Sequence, residues 1–326
     1  MSWLIRLFLA GWVAMLATAA STQAWAQAYP SRPIRLLVSF PPGGAADIVA
    51  RMVGQPLAAR LGQPVVVENR PGANGNLAGD LVARAPPDGY TLLLGPSALF
   101  GINPNLYVKT PIDPLKDLLP VASLVSNDLI LTASPTLASV NDFRDFIAVA
   151  RAAKPALFYG SIGIGSEHHL AMEFLKQQAG IDLVHVPYRG GGPAAIGVMA
   201  GDAAAMFGGG SVASLVQAGK LKGLAVSGQR RSRLLPDLPA IAEAYPGYEV
   251  AIWQGLFAPV GTPEAIVKRL RDEANAIVTQ PEFVEKLAAA GSGEPFVSTL
   301  PEFSARIRSD HEKYGKLIKS LGLSVE

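Results

Sequence analysis

Two glycine-rich turns, each set where an apolar run hands over to a helix-like segment, are the stretches best suited to do chemistry in this chain. In the first, Pro42-Gly43-Gly44-Ala45-Ala46-Asp47 follows PIRLLVSF. In the second, Gly160-Ser161-Ile162-Gly163-Ile164-Gly165-Ser166 follows ALFY and precedes EHHLAMEFL. The start of a helix leaves N–H groups without backbone acceptors and carries about half a positive charge. A carboxylate or phosphate therefore suits either turn. A plain strand–helix turn with Ser166 as N-cap stands beside that reading with equal weight. Asp47 fits capping and dipole compensation better than ligand contact, so the backbone of 43–46 is the better ligand candidate.

Other chemistries find less support. A dinucleotide-binding turn needs Gly or Ala six positions along, and counting from Gly163 that position is His168. No G-x-x-x-x-G-K-[ST] is present. Ser97, Ser161, Ser166, His168 and His169 could supply parts of a serine hydrolase, but no G-x-S-x-G positions them. His169 and Glu173 are four residues apart on one helix face, as two metal ligands could be; without a third ligand, a polar pair is the expected reading. Tyr188 and Arg189 end a strand-like run before glycines, and Arg189 could take a carboxylate bidentately or simply face solvent. Arg230, Arg231 and Arg233 read as a solvated loop or a docking surface.

The bulk composition bounds the rest. The chain has 326 residues, 49% hydrophobic and 17% charged, enough for packed cores and about two domains. A formal net charge of +2 gives no basic field for nucleic acid. The absence of cysteine excludes disulfides and thiol chemistry. At the N-terminus, Arg6 precedes an apolar run over 7–20, and Ala24-Trp25-Ala26 forms an A-x-A cleavage pattern. The run is short of the ~20 residues of a membrane span, so 1–26 is read as a cleavable signal peptide and the protein as periplasmic.

Around the turns, the pattern predicts alternating strands and helices. Strands are expected at 33–40, 64–69 and 91–95, with a helix closed by Gly62 between the first two and another over 77–85. An extended run over 121–134 follows, then a helix over 141–153 capped by Asn141 or Ser139. Strands at 156–160, 184–188, 203–208 and 224–227 are separated by helices near 167–179, 192–200 and 211–218. From Pro263 the chain reads as three helices. This alternation predicts an α/β protein with parallel sheet and crossover helices, in two units without a long linker. No repeat of fixed period is visible. If each unit presents one glycine turn to a cleft, an anion held from both sides would favour closure.

Taken in order, YPSRPIRLLVSFPPGGAADIVAR, VVVENRPGANGNLA, PDGYTLLLG, GIGSEHHLAMEF, VPYRGGGPAAIGVMAGD, AVSGQRRSRLLPDLPAIAEA and APVGTPEAIVKRL resemble the Bug-type (TctC-like) solute-binding proteins of tripartite tricarboxylate transporters. The resemblance covers nearly all of the chain after the signal. It implies a two-lobed Venus-flytrap periplasmic-binding-protein fold of type II topology, with lobe 1 discontinuous (27–125 and 252–326) and lobe 2 formed by 126–251. It implies a non-catalytic receptor, without cofactor or metal and expected to be a monomer. Such a receptor captures a small carboxylate for transmembrane permease subunits. A ligand sensor for a membrane signalling partner and a secreted serine-type hydrolase are the alternatives. Carried over by position, the ligand would meet Pro42, Gly43, Gly44, Ala45, Ala46 and Asp47 on one side. On the other it would meet Ser161, Gly163, Gly165, Ser166 and His169, with Ser97 lining the same cleft. Tyr188, Arg189, Phe207 and Gly208 are secondary candidates. Ala46 stands where many members carry Ser or Thr, His168 where proline is common, and Phe207-Gly208-Gly209 lacks an aspartate many members have there.

Overall fold

The computed structural model describes residues 29–325; the signal segment expected at 1–26 lies outside the described residues. In chain order the strands are β1 (Ile34–Val38), β2 (Val65–Asn69), β3 (Thr91–Pro96), β4 (Leu118–Asp128), β5 (Ile130–Ala133), β6 (Leu157–Ser161), β7 (Leu183–Pro187), β8 (Ala205–Gly208), β9 (Lys222–Val226), β10 (Ala251–Pro259) and β11 (Glu294–Pro295). They form two sheets, one ordered β11-β4-β10-β3-β1-β2 and the other β7-β6-β8-β5-β9.

The two sheets follow one plan. In each, a central strand (β1 or β6) pairs in parallel with the two strands that follow it. The next strand across is antiparallel: β10 against β3 and β4, β5 against β8 and β9. Each antiparallel strand is the one on which the chain arrives from the other sheet. The chain crosses once between Asp128 and Ile130 and returns between Val226 and Ala251. This is the two-lobed periplasmic-binding-protein fold of type II topology. The run expected to be extended over 121–134 is thus two strands in different sheets, broken at Leu129.

Both sheets are covered on both faces, which is why β1, β3 and β6 read as nearly continuous apolar runs. On one face of the first sheet, Ile34, Leu36, Leu92, Leu94 and Leu256 pack with the helices Ala45–Leu61 and Glu264–Val278. On the other, Leu37, Leu93, Trp253 and Phe257 pack with Phe100, Phe303 and Ile307. The second sheet has its own pair of clusters, around Tyr159, Phe207 and Tyr248 and around Met206, Val198 and Val226. A further cluster belongs to neither sheet alone. Ala98, Ile102 and Leu106 meet Leu170 of the Glu167–Ala179 helix and Tyr314, Leu317 and Ile318 of the C-terminal helix Leu300–Leu321, which joins the lobes.

Helix ends follow local chemistry. Gly62 closes the Ala45–Leu61 helix in the left-handed region at φ 72°, where a Cβ would be strained. The Phe143–Ala152 helix is capped by Asp142, which accepts from the Asp145 N–H at 2.8 Å, not by Asn141 or Ser139. Asn141 instead donates its own N–H to Asp145 at 2.9 Å, so the cap falls one residue after Asn141 and Asp145 holds the residue before it.

Candidate functional site

The first turn opens the Ala45–Leu61 helix at the carboxyl end of β1. Residues 41–45 are exposed, and Gly43 takes φ 82°, which only glycine adopts without strain. The Asp47 carboxylate folds back on its own turn. It accepts from the Gly43 N–H at 2.9 Å, from Asn69 Nδ2 at 3.0 Å, and from Arg51 Nε and Nη2 at 3.1 and 2.9 Å. The Arg51 hydrogen bonds lead in holding its pKa down at about 2. Asn69 also donates to the Phe40 carbonyl at 2.9 Å, tying the end of β2 to the entrance of the turn. Asp47 is therefore a brace. The amides of Gly44, Ala45, Ala46 and Asp47 have no acceptor among the described residues and are the turn's donors. The buried Ser39 hydroxyl, just past β1 and against Gly75, also lacks a hydrogen-bond partner among the described residues.

The second turn, at the carboxyl end of β6, spends more of its donors on itself. The Gly163 N–H donates to Ser161 Oγ at 3.0 Å, and the Gly165 N–H to His169 Nδ1 at 3.1 Å. The Ser166 N–H donates to the Gly163 carbonyl at 3.3 Å, while Ser166 Oγ caps the helix by accepting from the His169 N–H. The amides of Ile162 and Ile164 are left without acceptors among the described residues. An anion here would meet those two amides, not the glycine amides that the sequence singles out.

Behind this turn lies a column of rings. Tyr159 and His185 are register partners on β6 and β7, and their rings stack at 5.0 Å; His169 stacks on His185 at 4.0 Å. Ser161 Oγ lies 2.6 Å from His185 Nε2. The Tyr159 hydroxyl donates to Glu173 Oε1 at 2.6 Å, and Lys176 donates to the same oxygen at 2.8 Å. Glu173 is thus paired with Tyr159 and Lys176, not with His169. Burial lowers the pKa of His169 to about 4, with His185 adding to it; burial likewise lowers His185. Among the described residues no group of three His, Asp or Glu is arranged to hold a metal.

The two turns border one seam. β1 and β3 are parallel neighbours, so Ser97, just past β3, stands at the same sheet edge as the first turn. Ser97 is fully buried and donates to Glu167 Oε1 at 3.1 Å, on the first residue of the helix that the second turn opens. The Ala98 amide also bonds this carboxylate, whose pKa is raised, chiefly by burial. Close by, Gly165 leaves no room for a side chain: a Cβ there would lie 2.2 Å from Leu106 of the opposite lobe. In open α/β sheets, ligands bind at the carboxyl ends of the strands, and here the carboxyl ends of both sheets face each other.

The remaining candidates follow the strands parallel to β6: Tyr188 and Arg189 lie just past β7, where the Tyr188 N–H donates to the Ser161 carbonyl at 2.9 Å, and Gly208 ends β8. The Tyr188 ring lies against Gly160 and Gly197, where a Cβ on Gly197 would come within 2.3 Å of its hydroxyl. Arg189 is exposed and without an ion pair among the described residues. Phe207 is wholly buried in the second sheet's core, near Tyr248, and Gly208 packs against Val212. Sequence reasoning missed Glu167, His185 and Asn69. Only Glu167 carried a signal, as an acid after an N-cap serine, and that signal does not announce burial against another lobe.

A fold of two α/β lobes joined by two crossings, with strand–glycine–helix turns on either side of the seam, defines a solute-binding protein. The model of the tripartite tricarboxylate transporter family receptor (TctC) matches residues 49–323, and the chain belongs to that family. A protein from the tcbD–tcbE intergenic region of Pseudomonas sp. (strain P51) is 38% identical over 320 residues, covering 96% of this chain and 93% of its own. BugT of Bordetella pertussis is 33% identical over 307 residues, covering 92% and 93%. Among solved structures, an R. palustris protein with adipate has a TM-score of 0.77 at 32% identity, covering 91% of this chain and 100% of that one. MatC from Rhodopseudomonas palustris, with bound malate, has a TM-score of 0.71 at 29% identity, covering 89% and 100%.

Proposed function

We propose that this protein is a periplasmic receptor that captures a small organic acid between its lobes, leaves it chemically unchanged and delivers it to transmembrane permease subunits. The observation that carries this reading is the pair of strand–turn–helix junctions on one seam. The first offers the unpaired amides of Gly44 to Asp47, and the second those of Ile162 and Ile164. Amide donors hold a carboxylate without metal or cofactor. Ligand bound to both sides would favour closure about the crossings at Asp128–Ile130 and Val226–Ala251. Relatives solved with adipate and malate support a carboxylate as the ligand class. Among the described residues no helix is long and apolar enough to cross a membrane.

The test is a thermal-shift screen of di- and tricarboxylates, aromatic acids and acidic amino acids. At least one will raise the unfolding temperature, as mass action requires; no hit across the panel overturns the reading. One observation favours a hydrolase instead: the contact between Ser161 and His185. It argues weakly, because among the described residues no carboxylate bonds His185 Nδ1 to complete a triad, and Ser161 is fully buried. Ester turnover abolished by Ser161→Ala would establish the hydrolase and sink the receptor.

A further inference from the structure

The two crossings divide the seam. The glycine turns lie on the β1 and β6 side; on the other side, beyond β4 and β9, is a cavity of about 400 Å³. Both lobes build it. Asp128 and Phe296 come from the first sheet's surroundings, Val284 and Ala288 from the helix Pro281–Ala289, and Ile130 and Val226 from the second sheet. Its size falls in the ~300–1,000 Å³ range of small-molecule sites. Its floor is fixed by glycine. A Cβ on Gly210 would sit 2.3 Å from the Gly291 carbonyl oxygen, and one on Gly293 would sit 2.3 Å from Asn127 Oδ1. The lobes therefore meet backbone to backbone here, and the space beside that contact is bounded by both.

The chemistry of the wall is specific. The Asp128 carboxylate carries no hydrogen bond or ion pair among the described residues. The nearest cation acting on it, Arg306, is already engaged by Glu249 at 2.6 Å and Asp310 at 2.9 Å. Glu294 lines the same cavity, and its negative charge bears on Asp128. Burial, followed by Glu294 and Glu249, raises the Asp128 pKa to about 6, which marks a carboxylate short of positive partners. Arg233 is at the rim, but its backbone N–H, not its guanidinium, reaches Glu294. Ser126, Asn127 and Ser232 add neutral polar groups to the lining, and Ile130, Val226, Leu234, Val284, Ala288 and Phe296 supply its apolar walls.

We propose that this rear cavity is a second small-molecule site, separate from the acid-binding seam, that takes an organic monoamine with its ammonium on Asp128 and a short apolar body against Val284, Ala288 and Phe296. The site does not depend on what the glycine turns bind.

Benzylammonium is the probe, with benzyl alcohol and benzoate as shape-matched controls, titrated calorimetrically into the full chain at pH 7.5. The expected result is saturable binding of benzylammonium at least tenfold tighter than of either control. Asp128→Asn, nearly isosteric, weakens it at least tenfold, and Ala288→Trp, which fills the mouth from an exposed helix position, abolishes it. Thermal unfolding of each variant and an organic acid from the screen, where one is found, report whether the fold and the seam survive. No saturable benzylammonium binding overturns the proposal. So does binding matched by benzyl alcohol, and so does binding indifferent to both substitutions in folded variants.

Discussion

Ser97 and Glu167 sit on different lobes, yet the serine hydroxyl donates to the glutamate carboxylate at 3.1 Å inside a contact from which both side chains exclude water. Glu167 has no cationic partner among the described residues, and burial raises its pKa against the hydrogen bonds from Ser97 and the Ala98 amide. Removing the donor leaves a buried acceptor short of a bond, a loss of about 1–3 kcal/mol. Ser97→Ala is expected to lower stability by that amount in urea unfolding at pH 7.5. Glu167→Gln keeps the shape and deletes the ionisable proton, and is expected to cost less than about 1 kcal/mol or to stabilise. A costly Gln variant beside a harmless Ala variant would mean that an ionised Glu167 is held by something other than Ser97.

Asp47 gathers Gly43, Arg51 and Asn69 onto one carboxylate, and so fixes the first turn relative to β2. Because its folded pKa is depressed to about 2, below the usual 3.8, its contribution is fully present above that usual value and fades only as pH falls toward 2. Arg51 is half exposed, so solvent screening weakens the pair. Asp47→Ala is expected to destabilise by about 1–2 kcal/mol, cap included, by a constant amount from pH 5 to pH 8. It should weaken acid binding as the amides of residues 44–47 loosen. A deficit that grows across that range would mean that another titrating group dominates.

The alternation of strand and helix, the two glycine turns and Gly62 as a stop were legible because each is written locally, in apolar runs and in φ-permissive residues. The shared plan of the two sheets was not. It resides in pairing order, and no periodic residue match accompanies it. The same reason hid the His185 column, because Tyr159 and His185 become neighbours only when β6 and β7 pair. β10 was obscured by Gln254 and Gly255, which break its apolar run. At 121–134 the polar Ser126-Asn127-Asp128 stands just before the crossing, but strand-like residues lie on both sides of it, so the change of sheet does not show as a turn. The second turn's glycines look like free donors because a sequence does not show that a serine two residues back will consume the Gly163 amide, or a histidine four residues on the Gly165 amide.

Gly165 is constrained twice. Its φ of 76° belongs to the left-handed region, and a Cβ would press on Leu106 across the seam. Gly165→Ala should cost about 1–2 kcal/mol from the backbone alone, with more from the clash, and should weaken acid binding by forcing the lobes apart. Adding Leu106→Ala relieves the clash but not the φ strain, so the double variant is expected to recover acid affinity more than it recovers stability. Equal recovery of both would show that the backbone at Gly165 is unstrained.

His168 and His169 have folded pKa values lowered to about 4, in both cases first by burial. In the unfolded chain they titrate near 6.5, so between those values the unfolded state binds more protons and stability falls as pH falls. Each contributes a slope of about 1.4 kcal/mol per pH unit. Protonation also denies His169 Nδ1 to the Gly165 N–H, which frees the second turn. Asp128 acts in the opposite sense. Its pKa is raised to about 6 by burial, Glu294 and Glu249 against Arg306, so between its usual 3.8 and 6 the folded state binds the extra proton and stability grows on acidification. The expected profile from urea unfolding is a plateau above pH 7, a decline from pH 6.5 shared by His168, His169 and His185, whose pKa burial also lowers, and partial relief of that decline below pH 6. His169→Asn should remove a substantial part of the decline, and Asp128→Asn should raise stability at pH 7.5 and steepen the fall between pH 6 and 4.5. A profile flat from pH 7.5 to 5 in the parent protein would show that these imidazoles are not buried as neutral rings.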